Sequence, residues 1–195
     1  MRNVYRLLLA LLYLAGLLVL VHFAREGLDY YLTPLAERPR HPLYWSYKPG
    51  GEMGQLFAWT GTAMMVLMLG YTLRKRLPWM RRWGKVAVWL DIHILLGVLG
   101  PLFILLHTSF KVGGLVALSF WSMVAVALSG VLGRYLYVRL GQSSVLSPER
   151  AHRLRTLFHY WHVLHKPFAA IMYLFLAVHV AVAWMAGYGR AGFGP

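Results

Sequence analysis

Four histidines in two apolar stretches are the residues whose type and spacing point most directly to chemistry. His93 and His107 lie in one stretch, and His165 and His179 lie in the other. The members of each pair are fourteen residues apart. Because a helix turns by about 100° per residue, fourteen steps return to within about 40° of the starting face. Each pair is therefore predicted to share one helix face, with about 21 Å between its members along the axis.

The two stretches are predicted to be the third and fifth helices of the chain, so they run in the same direction. His93 is then expected at the depth of His165, near the inner side, and His107 at the depth of His179, near the outer side. Two imidazoles at each of two levels suit neither a structural zinc site, with four protein ligands, nor a catalytic one, with three. A haem iron takes two axial ligands from the protein. The four histidines are therefore predicted to ligate two haem irons.

Four glycines are predicted to let the flat haem rings approach the helix backbones, since glycine has no Cβ. They are Gly97, Gly100, Gly130 and Gly133. The alternative interpretation of the histidines is two unrelated pairs of buried rings that hydrogen-bond between helices. The identical spacing on two codirectional helices favours haem ligation.

The inner ligand on the fifth helix has an alternative, because His159, His162 and His165 are spaced by three. His162 is seventeen residues from His179, which places the two about 260° apart around the helix. His165 is therefore the predicted ligand and His162 the alternative. His159 and His162 are otherwise predicted to be interfacial polar residues, or parts of a quinone or haem-propionate site.

Three further polar residues lie in or beside the apolar stretches. Asp91 is two residues from His93 and is predicted to pair with an arginine at the membrane boundary; proton delivery to a quinone is the alternative. The role of His22, at the end of the first apolar run, stays open between a ligand, a quinone contact and neither. His41 is a weaker candidate of the same kind.

The composition indicates a membrane protein. The chain has 195 residues, of which 59% are hydrophobic and 13% charged, whereas soluble domains have about 25% charged residues. The net charge of +14 would suggest nucleic acid in a soluble protein; here it is attributed to basic loops at a membrane surface, and no nucleic-acid partner is predicted. The lack of cysteine excludes disulfides, iron–sulfur clusters and covalent haem attachment.

Runs of apolar residues predict five transmembrane helices, since about 20 such residues cross the hydrocarbon. We expect them at about 4–23, 54–75, 87–109, 114–138 and 158–187. The first run lacks a small-residue cleavage motif and is interpreted as a retained helix instead of a signal peptide. The predicted fold is a single all-α domain over 1–195, a bundle that holds two haems between the third and fifth helices.

The distribution of Lys and Arg predicts the orientation, because basic residues collect in cytoplasmic loops. The basic residues gather at the amino terminus, between the second and third helices, and between the fourth and fifth helices. We therefore expect a multi-pass protein of the cytoplasmic (inner) membrane, with its amino terminus inside and its carboxyl terminus outside. The 25–52 loop is expected outside.

A resemblance to known proteins rests on the stretches WLDIHILLGVLGPLFILLHTSF and HYWHVLHKPFAAIMYLFLAVHVAVAW. The pattern His-x13-His on two parallel helices resembles the dihaem b-type membrane cytochromes. It is similar to cytochrome b of the quinol-oxidising complexes and to the ferric reductase and NADPH oxidase membrane domain. The resemblance implies bis-histidine haems that move electrons across the membrane. The chain departs from these relatives in showing no flavin or nicotinamide domain and in having only five predicted helices.

The predicted function is electron relay between a quinone pool and a partner redox protein, as the electron-transfer subunit of an oxidoreductase complex. The partner would be a c-type cytochrome, an iron–sulfur protein or a flavoprotein, because the chain shows no site for those groups. One alternative is a self-contained transmembrane reductase of ferric or other metal acceptors. The other is a histidine-based proton or metal transporter, for which the third and fifth helices are short of polar residues.

Overall fold

The computed structural model describes residues 2–113, 117–141 and 147–187. These residues form helices and the connections between them, and they include no strand. Single turns of 3-10 helix lie at Arg38–Arg40 and Pro78–Arg82. The α-helices are α1 (Arg2–Glu26), α2 (Leu28–Leu32), α3 (Tyr44–Tyr47), α4 (Glu52–Leu67), α5 (Gly70–Arg76), α6 (Val86–His107), α7 (Ala117–Gly141) and α8 (Pro148–Met185).

Five helical stretches are long and apolar enough to cross a membrane. A helix satisfies its own backbone hydrogen bonds, which an apolar solvent cannot do, so long apolar sequences adopt it. Among the described residues, the prediction of an all-helical fold with five helices long and apolar enough to cross a membrane is confirmed. The stretches are Asn3–Glu26, Tyr44–Arg76, Val86–His107, Ala117–Gly141 and Pro148–Met185.

The helix ends differ from the predicted ones where local sequence overrides hydropathy. The third helix ends at His107 instead of 109, because Ser109 and Phe110 adopt left-handed φ values of 49° and 60°. The fifth begins at Pro148 instead of 158. Its first turns carry charged side chains, so hydropathy did not include them in the predicted span, although their backbone is helical. The second is interrupted between Leu67 and Gly70. The predicted start of the fourth helix, 114–116, lies outside the described residues.

The chain forms two compact units, Met1–Lys111 and Val112–Pro195, called here the amino-terminal and carboxy-terminal units. The core of the amino-terminal unit joins α1, α4 and α6 to the loop between α1 and α4. Buried aromatic residues of that loop provide much of the core. The buried core residues are Leu20, Tyr30, Tyr31, Tyr47, Phe57, Leu95, Leu99, Phe103 and Leu106.

Glycines set the close packing of α4 against α6. An added Cβ at Gly61 would lie 2.8 Å from Ile104 Cδ1 and 2.9 Å from the Gly100 carbonyl oxygen. An added Cβ at Gly100 would lie 3.3 Å from the Gly61 carbonyl oxygen. Small residues let helix backbones approach each other in this way inside membranes. The contact therefore fixes the register of α6, which carries His93 and His107.

The carboxy-terminal unit is the antiparallel pair α7 and α8. Gly133 of α7 faces Trp161 of α8 so closely that a Cβ would overlap with the indole ring. The indole Nε1–H donates to the Ser129 carbonyl oxygen over 2.7 Å. The sequence numbers of paired residues fall on one helix as they rise on the other, which makes the pair antiparallel. This register carries His165 to the level of Ser129.

Candidate functional site

Both histidines of α6 hydrogen-bond to backbone carbonyls of the second span, one in α4 and one directly after its end. The Nδ1 of His93 lies 2.9 Å from the Met68 carbonyl oxygen, and the Nδ1 of His107 lies 2.9 Å from the Gly54 carbonyl oxygen. Both side chains are half-buried. The two acceptors are fourteen residues apart, as the two histidines are. The antiparallel register of α4 and α6 therefore repeats the same arrangement at two levels.

These contacts set the tautomer of both rings. A carbonyl oxygen only accepts, so the Nδ1 of each ring carries the hydrogen and donates it. The lone pair of each neutral ring is then on Nε2. Metal-ligating histidines almost always donate their other ring N–H to a carbonyl, a carboxylate or water, which fixes the ring and raises its basicity. Each α6 histidine thus has the protonation and support of a metal ligand through Nε2.

The interruption of the second span explains the acceptor of His93. Met68 follows directly after the end of α4, and α5 begins at Gly70. The last carbonyls of a helix have no intrahelical partner and take other donors. The Met68 carbonyl also accepts a long bond of 3.4 Å from the Tyr71 backbone N–H. The Tyr71 ring lies 5.3 Å from the His93 ring, so the helix break supports His93 from two sides.

His165 of α8 is held in the same sense by a serine. Its Nδ1 lies 2.6 Å from the Ser129 hydroxyl, and that hydroxyl lies 2.9 Å from the Val126 carbonyl oxygen. A hydroxyl has one hydrogen, and the carbonyl can only accept it. With its hydrogen directed to the Val126 carbonyl, the hydroxyl accepts the Nδ1–H of His165, and the lone pair of that ring is on Nε2. The Trp161 indole stacks on the His165 ring with 5.0 Å between centroids.

His179 and His162 are less defined by their surroundings. His179 is half-buried, and among the described residues none hydrogen-bonds to its ring. His162 is half-buried beside the rings of Phe158 and Trp161, at 6.1 and 5.8 Å. The choice of His165 over His162 as ligand stays a prediction. The contact of His165 with Ser129 makes it the better supported ring of the two.

The four glycines predicted to pack against haem fall into two kinds. Gly100 lies against α4 and Gly133 against Trp161, so helix packing accounts for both. An added Cβ at Gly97 would meet Met68 Sδ only at 3.8 Å, and one at Gly130 would meet His165 Cε1 only at 3.9 Å. These two positions offer ordinary contact distances, with space for a neighbouring group. The haem-packing role stays a prediction for all four.

Each of the remaining polar candidates lies against another residue of the chain. Asp91 accepts a hydrogen bond of 2.9 Å from the Tyr5 hydroxyl of α1, a partner the sequence did not predict. His41 lies 3.0 Å from Asp29, and its Nδ1 accepts the Leu43 backbone N–H at 3.1 Å. The exposed rings of His159 and His22 lie beside neighbours in their own helices, Tyr160 and Phe23.

A buried arginine fixes the turn that follows His107. The Arg38 guanidinium donates from Nη1 to the Ser109 carbonyl oxygen over 2.5 Å. It also donates from Nε to the Thr33 carbonyl oxygen and from Nη2 to the Tyr31 carbonyl oxygen. The Ser109 hydroxyl donates to the Tyr47 carbonyl oxygen over 2.7 Å. The Arg38 clamp, defined by these contacts, holds the left-handed backbone at Ser109 in place, two residues after His107.

The residues that support the histidines were not predicted from the sequence. Ser129 gives a weak signal, because it is a polar residue beside Gly130 in a largely apolar helix that also contains Ser119 and Ser122. Met68 and Gly54 give none, since each contributes a backbone carbonyl that only the register of α4 brings to a histidine. Arg38 lies in the 25–52 loop, which is rich in polar residues, and nothing in the sequence indicates that its side chain is buried.

The side chains around the site and the comparisons with known proteins both bear on the identity of the site. Within the described residues there is no group of three or more His, Cys, Asp or Glu side chains arranged to hold a metal ion. Ions bound by protein ligands alone usually need that many. The chain matches no known protein family, no curated protein and no solved structure.

Proposed function

We propose that this chain is a membrane cytochrome of the dihaem b type that relays electrons between a quinone and a partner redox protein. The observation that carries the proposal is the common state of His93, His107 and His165. Each ring donates from Nδ1 and keeps its lone pair on Nε2. Histidines that merely fill space have no reason to share one tautomer at two levels and in both units of the chain.

The ligand sets follow from the sequence register. His93 and His165 are proposed to hold the inner haem, and His107 and His179 the outer one, with His162 as the alternative to His165. Each iron would take one ligand from α6 and one from α8; the amino-terminal unit supplies two rings whose tautomer fits, and the carboxy-terminal unit supplies one, His165. Gly97 and Gly130 are the glycines whose surroundings leave space for a ring beside them.

The chain's own residues determine how such a centre works. Bound haem supplies reversible one-electron chemistry at iron. Two histidines at each iron would leave no open position for oxygen, which would favour electron transfer over oxygen binding. The carbonyls of Met68 and Gly54 and the hydroxyl of Ser129 hold the rings in one orientation and raise their basicity. The apolar helices around them exclude water.

The redox partners must lie outside the haem sites. We propose a quinone in the membrane at one side and a c-type cytochrome, an iron–sulfur protein or a flavoprotein at the other. The chain would then be the electron-transfer subunit of an oxidoreductase, placed in the cytoplasmic membrane with its amino terminus inside. The distribution of basic residues supports this orientation.

Two measurements on the purified chain test the proposal. An optical spectrum should show a Soret band and, after reduction, b-type α-bands, with two haems per chain. Vesicles that contain the protein and trapped cytochrome c should then show rapid reduction of the trapped cytochrome when dithionite is added outside. His107→Ala and His93→Ala should each stop this transfer, because each removes one of the two levels.

His152→Ala is the matched control, since His152 is exposed on α8 and belongs to neither level. It should retain both haems and the transfer rate. Purified protein without haem bands would contradict the proposal. If the protein binds haem but its His93→Ala and His107→Ala variants transfer electrons as fast as the wild type, the proposed relay is contradicted.

A further inference from the structure

A hollow at one end of the carboxy-terminal unit collects three arginines. It is lined by Tyr135 and Arg139 of α7 and by Arg150, Arg153 and Leu154 of α8. No carboxylate is among the lining residues, and Glu149, the acid nearest in sequence, does not line it. Within the described residues no ion pair involves these arginines. Three arginines therefore border the hollow, and its lining residues supply no counter-charge.

The hollow is large enough to take part of a lipid headgroup. Its volume is about 280 Å³, just below the range of about 300–1,000 Å³ typical of ligand sites. Tyr135 holds one cation in place: the Arg139 guanidinium lies 5.4 Å from the centre of its ring, and Arg139 Nε donates to its hydroxyl over 3.3 Å. The planar donors of arginine pair with phosphate oxygens two at a time.

The position of the hollow is that of a lipid headgroup. α8 begins at Pro148, so the arginines of α8 lie in its first two turns, where the helix dipole also favours an anion. Exposed apolar side chains start directly beyond the hollow on both helices, as they would beside acyl chains. They are Leu128, Val131 and Leu132 on α7 and Leu157, Val163 and Leu164 on α8.

The haem proposal does not account for these cations. Arg153 precedes His165 by twelve residues, or about 18 Å along the helix. Arg139 follows Ser129 by ten residues, or about 15 Å. Both separations amount to about three helical turns, so these arginines lie at a different depth from His165. The hollow is therefore a separate site, and its occupancy does not depend on haem.

We propose that this hollow binds the phosphate of an anionic phospholipid. Basic pockets between membrane helices on the cytoplasmic side bind such headgroups, and the sequence predicts this end of α7 and α8 to be cytoplasmic. The arginines hold the phosphate, Tyr135 and Leu154 cover its glycerol side, and the acyl chains run along the apolar faces. The lipid neutralises the three arginines and links α7 to α8 at their charged end.

Native mass spectrometry of the detergent-purified full chain tests this. With phosphatidylglycerol the wild type should retain one lipid tightly, and with phosphatidylcholine none. The variant with Arg139→Gln, Arg150→Gln and Arg153→Gln should bind phosphatidylglycerol at least about tenfold more weakly, since it loses the charge that attracts the headgroup. A matched control changes Arg81, Arg82 and Lys85 to Gln; these side chains are exposed and make the same change in net charge. The control should keep the tight site.

Four outcomes would overturn the proposal. Equal losses of phosphatidylglycerol binding in both triple variants would indicate attraction by net charge alone, and unchanged binding in the Arg139, Arg150 and Arg153 variant would show that these arginines do not form the site. Binding of phosphatidylcholine as tight as that of phosphatidylglycerol would exclude recognition of an anionic headgroup. Displacement of the lipid by millimolar inorganic phosphate would indicate a site for a soluble anion. Arg153→Gln alone covers the case in which the triple variant does not fold. It should weaken binding several-fold, and wild-type affinity in that variant would also overturn the site.

Discussion

At the scale of single residues, the informative feature is which nitrogen of each histidine is occupied. Buried histidines that only bridge helices can use either nitrogen. In this chain His93, His107 and His165 all use Nδ1, with carbonyl or hydroxyl acceptors at 2.6 to 2.9 Å. The shared tautomer directs the Nε2 lone pairs away from the supporting helix. A haem site with two histidine ligands would need rings that are oriented in this way.

Loss of haem after substitution should group by level and not by helix. His107→Ala or His179→Ala should remove the outer haem and keep the inner one, and His93→Ala or His165→Ala should do the reverse. The reason is that each iron is proposed to take one ligand from each helix at matching depth. Haem per chain, measured on the purified variants, should fall from two to one in each case.

His162→Ala decides the weakest ligand assignment. Its ring lies on another face of an ideal helix than His179, so the variant should keep both haems. If it loses the inner haem while His165→Ala keeps it, the fourteen-residue register fails on α8. The relay would then use His93 with His162.

Ser129→Ala should weaken the inner haem without removing a ligand. The change leaves the Nδ1–H of His165 without its acceptor, and loss of such a supporting partner typically costs about 10–100-fold in metal affinity. We expect faster haem loss to an apo-protein acceptor and a shifted midpoint potential for one haem of the two. Ser122→Ala is the control, because Ser122 makes the same hydroxyl bond to a carbonyl three residues earlier but touches no histidine. Identical behaviour of the two variants would contradict the role of Ser129.

At the scale of helices, small residues decide which faces meet. Gly61 and Gly100 bring α4 against α6, and Gly133 admits Trp161 between α7 and α8. In each case the packing contact and the histidine support lie on the same face. The glycines therefore set the register that delivers Met68, Gly54 and Ser129 to the rings.

Gly133→Ala should destabilise the α7–α8 pair. The new methyl group would overlap with the Trp161 indole, whose displacement also breaks its 2.7 Å bond to Ser129. Overpacking of this kind typically costs about 1–3 kcal/mol. A lower thermal midpoint by tryptophan fluorescence in detergent would report it. Gly141→Ala is the control, because a Cβ there meets nothing within 4 Å; a midpoint shift as large in that variant would argue against the packing explanation.

The helices were more predictable than their junctions. Hydropathy alone located five spans, because a backbone in lipid has few alternatives to a helix. It did not locate the break at Met68, where no proline marks it, or the early start of α8, whose first turns are helical but charged. The acceptors of the histidines depend on contacts between helices, which a linear pattern does not encode.

At the scale of the whole molecule, the chain is a multi-pass membrane protein with a strong excess of basic residues, 20 against six acidic ones. Many of these cations lie in and beside the helix ends that meet at the α5–α6 and α7–α8 junctions, whereas the segment 25–52 carries four acids against four basic residues. An uneven distribution of this kind sets topology during insertion. It also sets the side at which each redox partner would approach.

Reporter fusions should reveal this topology. Fusions after Arg82 and Arg155 should read cytoplasmic, and fusions after Arg40 and at the carboxyl terminus should read external. Moving the positive charges is the control: a chain with the 81–85 basic residues changed to Gln should show weaker orientation at the Arg82 fusion. If the 25–52 loop reads cytoplasmic, the inner and outer haem assignments exchange places.

The Arg38 clamp also imposes an order on the synthesis of the chain. Arg38 and its acceptor Ser109 are 71 residues apart, whereas its acceptors at Tyr31 and Thr33 are within seven. The ribosome completes the loop that carries Arg38 well before α6 exists. Arginine stays charged under all physiological conditions, so until then its guanidinium belongs in water. The loop can therefore close over the end of α6 only after that helix has crossed the membrane, and a nascent chain that stalls before residue 109 would display it open to proteases.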